Sequence, residues 1–178
     1  AEKLRPLMGS ESAQIVTSIA MFYDLEDPLE FMRQIRSVLR PDGIWALELS
    51  YLPLLLTNLT YDQVCHEHLL YLGLKQMKWM MDRTGLRLID VSFNEVNGGS
   101  FFIVAARDDS PHRPNDAVIA KVLAAEEALR EDGPYDRFRD RVLSHRDEVL
   151  YFLRLTKAAG KSLLGYGAST KGNIVLNH

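Results

Sequence analysis

From Ala13 to Ile19 the chain runs through mostly apolar and β-branched residues, the pattern of a buried strand. Pro28 then opens a stretch in which Phe31, Ile35, Val38 and Leu39 recur at helical spacing until Pro41-Asp42-Gly43 stops it. Ile44 to Leu49 is a second apolar run, so the pattern predicts strand, helix and strand with a tight return. Such a βαβ unit has parallel strands and a right-handed crossover. Farther on, Leu74, Met77 and Met81, with Met80 beside them, mark the apolar face of a helix ending at Thr84-Gly85, where glycine suits a left-handed cap. The methionines read as core filler. Leu86 to Val96 and Phe101 to Ala106 follow as strands, and their connection Asn97-Gly98-Gly99-Ser100 is short enough for an antiparallel hairpin. The pattern predicts an α/β fold with a mostly parallel sheet closed by one antiparallel hairpin.

The pattern changes between Asp108 and Asp116, where Ser110-Pro111 and Arg113-Pro114 stand among charged residues and mark a linker. The chain is therefore divided into residues 1–107 and 108–178. In the second part Asn115 or Asp116 caps a helix carrying Val118, Ile119, Val122, Leu123 and Leu129. Gly133-Pro134 separates it from a longer helix with Phe138, Val142, Val149 and Leu153, and the two are expected to pack together. Lys161 to Gly165 reads as a short strand. The loop Gly165-Tyr166-Gly167-Ala168-Ser169-Thr170-Lys171-Gly172 then leads into a helix that the chain leaves at His178.

Composition narrows the classes. With 178 residues, 47% apolar, 25% charged and a net charge of −3, the chain reads as soluble and globular, not as a basic nucleic-acid binder. The longest uncharged stretch, Leu49 to Tyr61, is too short to span a bilayer, and a signal-peptide pattern is lacking, so a cytoplasmic location is expected. The single cysteine, Cys65, excludes an internal disulfide and a cysteine-built zinc site within this chain.

The candidate chemistry is concentrated in Cys65-His66-Glu67-His68, flanked by Tyr61-Asp62 and Tyr71. Histidine titrates at about pH 6.5, and a neighbouring carboxylate raises its basicity, so the cluster reads as a proton-handling site. His66 and His68 at i, i+2 could ligate a metal from an extended segment. No third ligand stands at a recognised spacing, so no metal is assigned. In the glycine loop, small residues between strand and helix suit close approach to a phosphate and Lys171 adds charge, but Thr170 stands where either phosphate-loop fingerprint needs glycine. A tight turn without a ligand fits the same letters. Asn97 to Ser100 reads as a hairpin loop needing positive φ, and Phe22-Tyr23 as packing or as the wall of a cleft at the strand's carboxyl edge.

Taken in order, several segments together resemble the sugar C-methyltransferase family. They are Ser18-Ile19-Ala20-Met21-Phe22-Tyr23-Asp24-Leu25-Glu26-Asp27-Pro28, Ser50-Tyr51, Tyr61-Asp62 through Cys65-His66-Glu67-His68, Asn97-Gly98-Gly99-Ser100, and Gly165-Tyr166-Gly167-Ala168 with Lys171-Gly172. The likeness covers nearly all of the chain from Ser12 onward. It implies the second half of a Rossmann-like class I methyltransferase sheet with an antiparallel terminal hairpin, followed by a partial C-terminal α/β domain that helps hold the nucleotide-sugar. It also implies S-adenosylmethionine as cofactor and a nucleotide-linked deoxysugar as substrate, with zinc confined to an N-terminal domain whose cysteines this chain lacks. The glycine-rich turn that cradles the cofactor is likewise absent, so the chain reads as a fragment expected to bind cofactor poorly or not at all.

By the same resemblance, methylation beside a sugar ketone needs removal of an α-proton, and His68 is the matching base. Glu67 would orient His68 or hold its charge, and His66 or a nearby N–H would stabilise the enolate oxygen. Ser18, Ala20 and Tyr23 would sit by the cofactor. Tyr51, Asn97, Gly98, Gly99 and Ser100 would line the sugar pocket, with Lys171 toward phosphate. Relatives often carry tyrosine where Cys65 stands and arginine where Phe102 stands, so those roles stay unassigned. The alternatives are a non-catalytic nucleotide-sugar binding module and an NAD-dependent dehydrogenase, the second disfavoured by Thr170 in place of a third glycine.

Overall fold

Strand β1 (Ala13–Ile19) leads through a 3-10 turn at Phe22–Asp24 into helix α1 (Pro28–Val38), where the Asp27 carboxylate accepts the Glu30 N–H at 2.9 Å. The computed structural model describes residues 13–167 and 169–177. Helix α1 stops at Val38 and strand β2 (Leu39–Ser50) begins at once, although the sequence pattern carries the helix to Pro41 and starts the strand at Ile44. Leu39 is fully buried and pairs with Ala13, while the next matched pair is Ile15 with Ile44, so residues 40–43 bulge out of the ladder. Burial of Leu39 and strand pairing outweigh the Pro-Asp-Gly signal. A Cβ on Gly43 would lie 2.7 Å from the Ala13 carbonyl, so the bulge needs glycine there.

Strands β1 and β2 are parallel, as the βαβ pattern predicts. After β2 come helix α2 (Leu52–Asn58), a 3-10 turn at Tyr61–Gln63 and helix α3 (Leu74–Thr84), which Gly85 closes at φ 70°. Strands β3 (Leu86–Asn94) and β4 (Ser100–Arg107) form the expected antiparallel hairpin. The sheet order is β1-β2-β4-β3, with β4 antiparallel to both neighbours. The sheet is thus mixed among the described strands, because the second arm of the hairpin inserts beside β2.

One buried cluster joins Met32 and Ile35 of α1, Leu74, Met77 and Met81 of α3, and Trp45, Leu47, Leu49, Phe101 and Ile103 of the sheet. The methionines fill the core as expected. Phe22 packs against Phe31 and Trp45, with ring centroids 6.1 and 5.8 Å apart. Inside this cluster the Trp45 indole N–H donates to Ser18 Oγ at 3.0 Å, so neither polar group is left unpaired.

Helix α4 (Asp116–Ala125) adds Ile119 and Val122 to the same cluster. In the 3-10 turn Glu126–Arg130 that follows, the buried carboxylate of Glu126 accepts the Leu74 N–H at 2.6 Å and the Lys75 N–H at 2.9 Å. It also bonds the Tyr51 hydroxyl. A carboxylate at this position answers donors that a helix leaves free at its start and meets the positive end of its dipole. A Cβ on Gly73 would sit 2.9 Å from both carboxylate oxygens, so a side chain there would push the carboxylate away from these donors.

Helix α5 (Gly133–Ala158) packs chiefly on α2 and not, as the sequence suggests, on α4. Arg141 donates to the Leu56 and Thr57 carbonyls at 3.2 and 2.9 Å. Residues 161–165, expected as a strand, are exposed irregular chain, since among the described residues no strand runs beside them to share hydrogen bonds. Helix α6 (Thr170–Asn177) follows where predicted. Among the described residues no helix is long and apolar enough to cross a membrane.

Replacing Glu126 by Ala leaves the first N–H groups of α3 buried without acceptors. Glu126→Ala is expected to lower the unfolding free energy by about 2–3 kcal/mol, read as a reduced urea midpoint with unchanged slope.

Candidate functional site

The loop carrying Cys65-His66-Glu67-His68 follows the Tyr61–Gln63 turn and lies by the carboxyl ends of the two parallel strands. Tyr23, just past β1, and Ser50, the last residue of β2, line a small cleft together with Gln63, His68 and Tyr71. Its free volume is about 10 Å³, enough for little more than one water. Open α/β sheets hold their ligands at this edge.

Gln63 ties the site together, and nothing in its residue type or spacing flags it in the sequence. It is 2% exposed. Its Oε1 accepts the Ser50 hydroxyl at 2.5 Å, and its Nε2 donates to the Asn97 carbonyl. Its own carbonyl accepts the Tyr71 hydroxyl at 3.3 Å and the Cys65 N–H at 3.1 Å. One buried amide thus links the end of β2, the hairpin loop and the histidine loop. A neutral side chain has no titration to draw attention to it, and only the fold reveals its partners.

His68 is half-buried, its ring centroid 4.3 Å from that of Tyr23 with the planes tilted by 51°. The Tyr23 carbonyl accepts the N–H groups of Leu69 at 2.9 Å and Leu70 at 3.1 Å. His66 is exposed, with Nδ1 3.6 Å from Glu67 Oε2. Glu67 also accepts the Thr170 hydroxyl at 3.2 Å and the Cys65 thiol. The Cys65 bond, followed by those of its own backbone and Thr170 and by the charge of His66, holds the Glu67 carboxyl below its ordinary range. Glu67 therefore engages His66 and the start of α6; the sequence expected it to orient His68 or to hold its charge.

Burial, with help from Glu67, pushes the Cys65 thiol up. The phenols of Tyr23 and Tyr71 are pushed up as well, first by burial, then by Asp24 and Cys65 for Tyr23 and by Cys65 for Tyr71.

The hairpin loop adopts the positive φ values its glycines suggest, at 54° for Asn97, 77° for Gly98 and 128° for Gly99. Asn58 donates to the Gly98 carbonyl at 2.8 Å and the Tyr51 N–H to that of Gly99 at 3.1 Å. Lys171 Nζ donates to Asn97 Oδ1 at 3.2 Å. The start of α6 thus touches both the histidine loop, through Thr170, and the hairpin loop. Ala168 and His178 lie outside the described residues.

Other predicted site residues are engaged in the framework. Ser18 is buried against Trp45, and the Ser100 hydroxyl donates to the Val96 carbonyl at 2.9 Å. Tyr51 packs on Phe93 and Phe101 with centroids 4.9 and 4.8 Å away, and burial, then Glu126, pushes its phenol far up. Ala20 is exposed in the left-handed region at φ 51°, its N–H on the Glu48 carbonyl at 2.9 Å. A strained alanine at a strand's carboxyl end points to a constraint imposed there.

Comparison with known proteins shows the family. Residues 5–91 match the model of a methyltransferase domain, and residues 95–178 match that of the C-methyltransferase C-terminal domain. The chain is 34% identical over 166 residues, 92% of its length, to C-methyltransferase NovU of Streptomyces niveus. It spans 39% of the length of that relative. The chain belongs to the C-methyltransferase family. Among solved structures it is similar to a chain of the complex between the Trm112 methyltransferase activator and the putative methyltransferase of Haloferax volcanii, with TM-score 0.48, 13% identity and 55% of each chain covered. A SAM dependent methyltransferase from Aquifex aeolicus overlaps with TM-score 0.40, 16% identity, 54% of this chain and 46% of its own. Overlaps at this level carry no residue correspondence.

Gln63→Ala removes the link between β2 and the hairpin loop. It is expected to cost about 1–3 kcal/mol of stability and to speed amide hydrogen exchange at Tyr51, whose acceptor is in that loop.

Proposed function

We propose that the whole protein is an S-adenosylmethionine-dependent C-methyltransferase acting on a keto-deoxysugar carried by a nucleotide, with His68 as the base. In this reading residues 1–107 are the second half of a Rossmann-like class I methyltransferase sheet. Residues 108–178 begin the domain that holds the nucleotide-sugar. The observation that supports it is a half-buried imidazole lining a cleft at the carboxyl ends of two parallel strands, in a chain of the C-methyltransferase family.

Carbon is a poor nucleophile, so the substrate must first lose a proton beside its carbonyl. His68 accepts that proton as the C–H bond breaks, and its electron pair passes into the carbonyl to give an enolate. The enolate carbon then forms the new C–C bond. S-adenosylmethionine, when bound, supplies the methyl group on a sulfonium leaving group. His66, with Glu67 3.6 Å from its Nδ1, offers an N–H to the developing oxyanion.

The residues present fit one wall of a cofactor site. Ala20, exposed at the end of β1, offers backbone and a small side chain for close approach. Ser18 contributes by supporting Trp45 behind that wall. On the substrate side, Asn97 and Gly98 border the sugar and Lys171 reaches toward phosphate. Tyr51, Gly99 and Ser100 hold the loop that presents them.

In the full-length enzyme, His68→Ala is expected to lower kcat at least about 10²–10⁴-fold against a panel of 4-keto nucleotide sugars followed by mass spectrometry. Affinity for S-adenosylmethionine, measured by titration calorimetry, stays unchanged. Turnover retained in that variant removes His68 as the base.

A further inference from the structure

We propose that Tyr23 is the positioning residue for His68, setting the imidazole's place through its ring and through its backbone carbonyl. The inference rests on His68 being the base. It starts from what Glu67 does not do: that carboxylate engages His66, Cys65 and Thr170, so the contact that orients His68 comes from another side.

Tyr23 meets the requirement at two points. Its ring lies against the imidazole, centroids 4.3 Å apart and planes tilted by 51°, a tilted packing that limits rotation of the smaller ring. Its carbonyl takes the N–H groups of Leu69 and Leu70, the two residues after His68, and pins the backbone from which the imidazole projects. The support is itself rigid. Tyr23 is 7% exposed, and Phe22 before it is fully buried against Trp45 and Phe31. The turn is entered through the left-handed Ala20, so its course is fixed on that side too. A reacting group displaced by about 1 Å costs roughly 10²-fold in rate, and a mobile imidazole in a loop cannot meet that tolerance without such a brace.

The test uses the full-length enzyme with a keto nucleotide sugar. Tyr23→Leu and the more volume-conserving Tyr23→Met remove the aromatic face, whereas Tyr23→Phe keeps it. The first two are expected to lower kcat by about 10–100-fold with KM for the nucleotide sugar within about twofold, and Phe to stay within about threefold of the parent. Exchange of the substrate α-proton with deuterated solvent, followed without methyl donor, falls in parallel with kcat. The His68 ring-proton resonance moves in Leu and Met but not in Phe, a check of the contact that needs no turnover and that Met supplies if Leu does not fold. Unchanged kcat in Leu and Met, unchanged exchange, an unmoved resonance, or a loss confined to S-adenosylmethionine affinity overturns the proposal. His68→Ala separates the two readings. If that variant is inactive while Tyr23→Met is fully active, positioning fails and the base stands; if His68→Ala turns over, the base reading fails first.

Discussion

Parallel pairing of β1 with β2 is the constraint on which the site depends. Two parallel strands end at the same edge of a sheet, and here those ends deliver Tyr23 and Ser50 to one cleft. An antiparallel pair would send them to opposite edges. The helix between the strands makes the pairing possible, and its apolar stripe of Met32 and Ile35 buries against the sheet to hold it. The core therefore does more than stabilise: its topology decides which loops meet.

The second half of the chain is attached by polar groups as well as apolar ones. Glu126 closes the start of α3 and takes the Tyr51 hydroxyl, so a residue from beyond the linker is built into the framework behind the site. Thr170 and Lys171 reach the front of the same site through Glu67 and Asn97. These front contacts join exposed polar groups and are individually weak, whereas the Glu126 contacts are buried and strong. The chain is fastened firmly behind the cleft and lightly across its mouth.

Much of this is legible in the letters because apolar periodicity reports burial directly. The strand Ala13–Ile19, the helix begun by Pro28, the glycine stop at Gly85 and the hairpin all follow from it. The pattern misleads where tertiary pairing competes with local signals. Leu39 is drawn into a strand despite Pro41-Asp42-Gly43 downstream, and residues 161–165 have strand-like letters but no partner strand among the described residues. In the site, residue type draws attention to the histidines but cannot tell which neighbour each one touches. Glu67 adjoins His68 in sequence yet is bonded elsewhere, and Tyr23 lies 45 residues away yet touches it. Ser18 and Tyr51 look available as polar letters but have internal partners.

The chain's one cysteine sits next to the histidines with its thiol pushed upward by burial and by Glu67. Only the ionised sulfur is a strong nucleophile, so at neutral pH Cys65 stays chemically quiet. Beside an electrophilic methyl group a reactive sulfur would be alkylated in place of the intended carbon. Burial first, and Glu67 second, thus keep this sulfur protonated, the state that would suit a neighbour of the methyl donor in the proposed reaction.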